Sequence, residues 1–377
     1  MSSRTFLIGI GAAGNKAVID TVNAGVVLEE DMFLINTTGR DIPENYKSQA
    51  LILNDGGNLG GCGKEPDLGE KRILEAIKNQ KLNLKTMVQP YHTSVTVVAS
   101  AEGGTGCGGA PVIARYVADV LHLPIHLVFF LGFRDDSRGL KNTVRMFKNV
   151  RDNFDVQIID NSKFLKEAND NQQVAEQMAN NEFACRLSVL LGNIITESTQ
   201  NIDDMDLYKV ATTLGFKEVA YRQIAEKIKT REQFDSIIRE MIAESKSVDV
   251  EIPSQQRMAA IFNLPESDME NVDVSLKLVK EKYGEPFEYY KHIQYNDKMP
   301  KFIAFICSGF KIPIDIVEEI NNEYLDKSNK VSKDGDSYFE KVSHLQAIDE
   351  DKQFDSAINT AEEVEGSEDD FFASYNN

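Results

Sequence analysis

Residues 94–109 read SVTVVASAEGGTGCGG, and the reading of this stretch decides the fold. Ser94 to Ser100 is apolar and β-branched, the texture of a strand buried on both faces. The glycine string that follows cannot continue a strand, and from Pro111 to Leu121 the apolar positions return at helical spacing. A strand, a glycine-rich turn and a helix make the repeating unit of a parallel sheet, whose ligands bind at the carboxyl ends of the strands.

The same unit recurs on both sides. FLIGI (6–10) is a strand leading into GAAGNKAVIDTV, a helix with Ala17, Val18 and Val22 on one face. MFLIN (32–36), LILN (51–54), PIHLVFFLGF (124–133) and VQIID (156–160) are further strands, with a helix over 140–152. A long helix is expected over 172–196, with Val174, Met178, Leu187, Leu190, Leu191 and Ile194 as its apolar positions. Beyond it come helices at 205–213 and 217–245 and a strand in PKFIAFICSG (300–309). The expected architecture is α/β. A doubly wound parallel-sheet domain (1–171) is joined by a long connecting helix (172–200) to a second α+β domain (201–325). A helical extension (326–344) and an acidic tail (345–377) follow. That tail carries ten acidic residues against one lysine, which predicts disorder; Phe371, Phe372 and Tyr375 interrupt it as a short linear anchor.

Composition narrows the partners. The 377 residues carry a net charge of −19, which repels a polyanion and argues against direct nucleic-acid binding. Cys62, Cys107, Cys185 and Cys307 form no CxxC pair, so neither a disulfide framework nor a cysteine zinc site is expected. The five histidines form no metal-binding spacing, and the longest apolar stretch, His122 to Phe133, is short of the roughly 20 residues that span a bilayer. MSSRTFLIGIG has no signal-peptide pattern, so a cytoplasmic protein without a membrane partner is expected.

Three glycine-rich segments follow strands: GIGAAGN (9–15), GGNLGGCGKEPDLG (56–69) and EGGTGCGG (102–109). In one sheet they converge on one edge, where backbone N–H groups and helix N-termini suit a chain of phosphates. No GxxxxGK followed by Ser or Thr occurs, so this is not a P-loop.

Gly103-Gly104-Thr105-Gly106-Cys107-Gly108 resembles the GGTGSG signature of the tubulin/FtsZ superfamily, with Cys107 in place of a hydroxyl residue and Glu102 where a small residue is usual. The resemblance implies that this loop holds the α- and β-phosphates of GTP or GDP. It implies a first nucleotide loop at Gly11, Ala12, Ala13 and Asn15, a second at Asn36 and Thr37, and a γ-phosphate loop at Gly61, Gly63 and Lys64. It implies guanine contacts from Asn161 and Asn181, with Asn180 the alternative to the latter; Gln177 stands where an aromatic often stacks on the base. Amide side chains suit guanine because they both donate and accept. NIDDMD (201–206) resembles the family's synergy loop, which implies catalytic roles for Asn201, Asp203 and Asp206 in the pocket of the next subunit; alone, such a stretch is also an ordinary helix cap. INTTGRDI is similar to TubZ-like plasmid and phage proteins. The resemblance therefore implies a GTPase with Mg²⁺ that forms head-to-tail filaments and segregates or positions plasmid or phage DNA through a DNA-binding adaptor met by the tail. The alternatives are a non-polymerising nucleotide-binding regulator and a cell-division filament protein. The basic stripe Arg138, Lys141, Arg145, Lys148 and Arg151 is expected to be a solvated helix face.

Overall fold

The computed structural model describes residues 3–53, 61–150, 154–196, 202–247, 255–265, 268, 272–311 and 313–334. In chain order the elements are β1 (Thr5–Ile10), α1 (Gly11–Asn23), β2 (Met32–Asn36), β3 (Ala50–Ile52), α2 (Pro66–Lys78), α3 (Leu84–Met87), β4 (Ser94–Ser100) and α4 (Gly104–Tyr116). Then follow β5 (Ile125–Leu131), α5 (Ser137–Val150), β6 (Asp155–Asp160), α6 (Gln172–Leu190), α7 (Asp204–Ala211), β7 (Gly215–Gln223), α8 (Arg231–Ala243), β8 (Arg257–Asn263), α9 (Val272–Tyr283), β9 (Glu288–Gln294), β10 (Phe302–Phe310) and α10 (Ile314–Asp334).

The described strands form a sheet in the order β3-β2-β1-β4-β5-β6-β7-β10-β8-β9. From β3 to β7 every neighbouring pair is parallel, as strand–helix–strand units require. β10 runs antiparallel to both β7 and β8, and β9 is parallel to β8. The sheet is thus continuous across both halves of the chain, with β7 joined to β6 by the pairs Asp155–Gly215 and Val156–Phe216.

Helices cover both faces, which is why the central strands are apolar at successive positions. Ile8, Ile10, Val97, Phe129 and Ile158 share one core with Ile73, Ile113, Leu140 and Phe147 from α2, α4 and α5. Their alternating neighbours Leu7, Val98, Val128 and Ile159 share another with Val18 of α1 and Ala179 and Phe183 of α6. Phe147 stacks on Phe216 of β7 at 6.2 Å between ring centroids, tying α5 to the second half.

Two expected elements change. The segment 217–245 is not one helix: Gly215–Gln223 is strand β7, and the helix starts only at Arg231 behind a capping box of Thr230 and Gln233. Lys217 and Glu218 disguised the strand, yet both are buried between neighbours. Lys217 pairs with Asp155 at 2.7 Å, and Glu218 lies 3.6 Å from the Arg186 guanidinium. The long helix also stops at Leu190, and Val174, expected in the core, is 44% exposed. The tail and the glycines at 56–60 lie outside the described residues.

Candidate functional site

The first turn of α1 follows β1 without a spacer, because Gly11 takes the left-handed backbone (φ 77°). Gly14 lets α1 sit on β4, since a methyl there would overlap the Val98 carbonyl. Ala12 and Ala13 are exposed at the strand edge. Asn15 is fully buried; its Nδ2 donates to the Ile35 carbonyl at 3.3 Å, and its Oδ1 has no hydrogen-bond partner.

At the end of β2, Asn36 Oδ1 accepts the Thr37 N–H at 2.9 Å, and Thr37 Oγ1 meets Thr105 Oγ1 at 3.2 Å. The hydroxyl pair joins this loop to the next. The glycine string after β4, which the sequence presents as a loop, is instead the opening of α4: Gly103 is its N-cap and Gly104 to Gly108 are helical. No side chain caps that end, so its first N–H groups are directed at the edge.

Close packing explains several of these glycines. A methyl on Gly69 would overlap the Gly104 carbonyl, and one on Gly104 would lie 2.6 Å from the Glu65 nitrogen, so α2 and α4 meet backbone to backbone. Gly108 faces α2 as well, against Pro66 and Glu70. The Cys107 side chain also points inward: its Sγ donates to the Asn142 carbonyl at 3.2 Å, and burial pushes the thiol up to about 12.

Gly61, Gly63 and Lys64 turn through left-handed conformations (φ 101°, 54° and 60°), and α5 grips that turn. Arg138 donates to the Gly63 carbonyl at 3.3 Å and to Glu65 at 2.8 Å, Lys64 pairs with Asp136, and Arg145 binds Asp67 and Glu70. Arg138, Lys141 and Lys148 of the basic stripe are exposed, as expected of a solvated face, Arg145 is partly buried, and Arg151 lies outside the described residues. Arg138 and Arg145 in addition pair with acids of the adjoining segment.

Glu102 turns away from the α4 N-terminus. Its carboxylate sits against the glycine backbone of Gly132 and Gly139 and accepts the Arg134 N–H at 3.4 Å. Burial raises its pKa, opposed by that N–H and by the charge of Lys64. Arg134, itself left-handed (φ 61°), lies 3.5 Å from Asp160 and pairs with Glu319 and Glu323 of α10, while Lys327 binds its carbonyl.

Asn161 opens a 3₁₀ turn directly after β6; it is 8% exposed and its Oδ1 has no hydrogen-bond partner. On α6, Asn180 is buried and donates to Asp20 of α1 at 2.7 Å, whereas Asn181 is exposed and accepts from Gln177 at 3.4 Å. Gln177 also donates to Asp20 at 3.1 Å. Asp20, Arg134, Asp136 and Asn142 were not legible as site residues from the sequence, because each owes its place to a partner on a distant element.

Asp203 and Asp206 lie elsewhere. Asp203 is the N-cap of α7, its Oδ1 accepting the Asp206 N–H at 2.7 Å, and Asp206 lies 3.6 Å from Lys209. One turn or so further on, Tyr208, Ala211 and Thr212 line a cavity with Ser94, Pro124 and Ile125, at the amino ends of β4 and β5. Asp203 and Asp206 are thus near the edge opposite the glycine loops. Asn201 lies outside the described residues. Among the described residues no helix is long and apolar enough to cross a membrane.

Known proteins share this fold. Residues 4–169 match the family model for the tubulin/FtsZ family GTPase domain. The tubulin-like protein CetZ2 of Haloferax volcanii is 29% identical over 222 residues, and the match spans 56% of this chain and 60% of that protein. Cell division protein FtsZ 1 of Thermococcus kodakarensis is 22% identical over 88% of this chain and 87% of its own. Among solved structures, a GTPγS-form protofilament of Bacillus thuringiensis serovar israelensis TubZ superposes with a TM-score of 0.71 at 14% identity, covering 88% of this chain and 94% of that one. A GTPγS-bound protofilament of Haloferax volcanii CetZ2 gives 0.70 at 21%, covering 86% and 99%. The glycine loops thus gather on one edge of a sheet whose residues 4–169 match the tubulin/FtsZ family GTPase domain, and the chain shares its fold with solved structures of TubZ, CetZ and FtsZ.

Proposed function

We propose that this chain binds GTP along the carboxyl edge of its sheet and hydrolyses it when a second copy docks head to tail. One observation carries the reading: the carboxylates and the phosphate loops are at opposite edges. α6 has 19 residues, so about 28 Å of helix separates its start beside the Asn161 turn from its end beside α7. Asp203 and Asp206 cannot reach the glycine loops of their own copy across that distance. A contact between opposite edges does not close on itself, and repeats into a filament. The protofilament form of two similar structures supports this.

In this reading the α4 N-terminus and Gly11 to Ala13 hold the α- and β-phosphates, with Thr105 adding a hydroxyl donor. Gly61, Gly63 and Lys64 face the γ-phosphate. Asn161 presents its partnerless Oδ1 to the N–H groups of guanine, and Asn180 or Asn181 contacts the base from α6. Asp203 and Asp206 of the neighbouring copy, with Asn201, hold the attacking water in line. Mg²⁺ accompanies the polyphosphate. The charge of −19 disfavours direct DNA contact, so a role in segregating plasmid or phage DNA runs through an adaptor recruited by the acidic tail.

Right-angle light scattering and phosphate release, followed together over a range of protein concentrations with GTP and Mg²⁺, test the proposal. The rate per molecule should rise with assembly, and Asp203→Ala and Asp206→Ala should still polymerise but hydrolyse at least tenfold more slowly, leaving persistent filaments. A rate independent of protein concentration, or wild-type protein that stays monomeric at high concentration, refutes it; the monomeric outcome favours the regulator.

A further inference from the structure

We infer that Asn142 is the positioning residue that locks the γ-phosphate turn to the α/β-phosphate helix, and thereby sets how strongly the site prefers a triphosphate to a diphosphate. The inference rests on the proposed nucleotide site and assigns a role to a residue outside it. Asn142 lies on α5, 4% exposed. Its Nδ2 donates to the Lys64 carbonyl at 3.0 Å and to the Glu102 carbonyl at 3.0 Å, residues 78 and 40 positions away. Its own carbonyl accepts the Cys107 thiol from inside α4 at 3.2 Å. One residue thus touches the γ-phosphate turn, the residue before the α4 N-cap and the helix itself.

The chemistry demands an amide. Two acceptors must be met by two N–H bonds on one planar nitrogen, which an Asn supplies and a carboxylate does not. In a trans peptide the C=O and the following N–H point in opposite directions. Holding the Glu102 carbonyl toward Asn142 therefore aims the Gly103 N–H away from Asn142. Two of the other ties across this junction are exposed ion pairs. Lys64 and Asp136 are 46% and 45% exposed, and Arg138 and Glu65 are each 57% exposed. Such pairs contribute little and are screened by salt. The buried amide adds directional hydrogen bonds to both elements at once.

The two phosphate elements hold different parts of the nucleotide, so loosening one against the other should cost GTP more than GDP. Binding of fluorescent GDP and GTPγS to full-length protein tests this, with thermal unfolding of the nucleotide-free protein as the check on folding. Asn142→Ala and the isosteric Asn142→Asp should each lower the GTPγS-to-GDP affinity ratio about tenfold relative to wild type, the loss expected when two buried carbonyls lose their donors. Phe147→Leu, a core change on the same helix, should lower the unfolding temperature and leave the ratio unchanged. If Asn142→Ala does not fold, Asn142→Ser carries the same test. Equal weakening of both nucleotides, or an unchanged ratio, overturns the inference alone. Wild-type protein that binds neither nucleotide overturns the functional reading, and the inference with it.

Discussion

Gly108 is the last glycine of the six-residue string that resembles a phosphate-binding signature, yet its place in the fold assigns it to helix packing. A methyl added there would overlap the Pro66 carbonyl oxygen and lie 2.8 Å from the Glu70 nitrogen, where ordinary contacts begin at 3.4 Å. The obstructing atoms are backbone, so no rotamer change can make room; the Pro66 oxygen would lie only 1.9 Å away, and α2 must retreat by about 1.5 Å to restore an ordinary contact. Overpacking of this kind costs about 1–3 kcal/mol. Against it stands the gain from replacing a helical glycine by alanine, about 0.5–1 kcal/mol. The clash wins, leaving Gly108→Ala less stable by about 1–2 kcal/mol, a fall of roughly 1–3 °C in unfolding temperature for a chain of this size. Differential scanning calorimetry without nucleotide measures it. Gly39→Ala, whose methyl meets only the Ile52 side chain at 3.7 Å, is the control and should change little. Because α2 begins at Pro66, directly after the turn proposed to face the γ-phosphate, Gly108→Ala should also weaken GTPγS binding. An unfolding temperature equal to or above wild type would refute the packing argument, since helix propensity would then have prevailed unopposed.

A pH dependence follows from His292. Burial lowers its pKa, and its Nδ1 accepts the Ile202 N–H at 3.4 Å while Nε2 donates to Gln294 at 2.8 Å, beside the residues that lead into Asp203. A neutral buried imidazole opposes a free one that titrates near 6.5, so the unfolded chain binds more protons as pH falls below about 6.5. Stability should therefore drop below that pH, by at most about 1.4 kcal/mol per unit for this group; thermal melts of wild type and His292→Gln with equal pH slopes would contradict it. Thiol chemistry gives a further check: Cys185 is exposed, while Cys62, Cys107 and Cys307 are buried. Ellman's reagent should titrate one thiol in the native protein and the other three only after unfolding. Rapid reaction of Cys107 in the folded state would place its sulfur at the surface, against the geometry described.

The sequence alone determined the architecture of the first half, because the signals for β1, β2, β4 and β6 are local: short runs of apolar residues report burial without reference to any distant partner. It located the glycine loops for the same reason. What periodicity could not reach was β7, where Lys217 and Glu218 look solvent-facing until Asp155 and Arg186 are brought beside them. Nor could it separate, within GGTGCGG, the residues open to the edge from Cys107 and Gly108, which face α5 and α2. The role inferred for Asn142, the inward turn of Glu102 and the grip of Arg138 on the turn at Gly63 were decided by tertiary structure alone. Each joins residues between 32 and 78 positions apart, and contacts at that range exist only once helices have packed on the sheet.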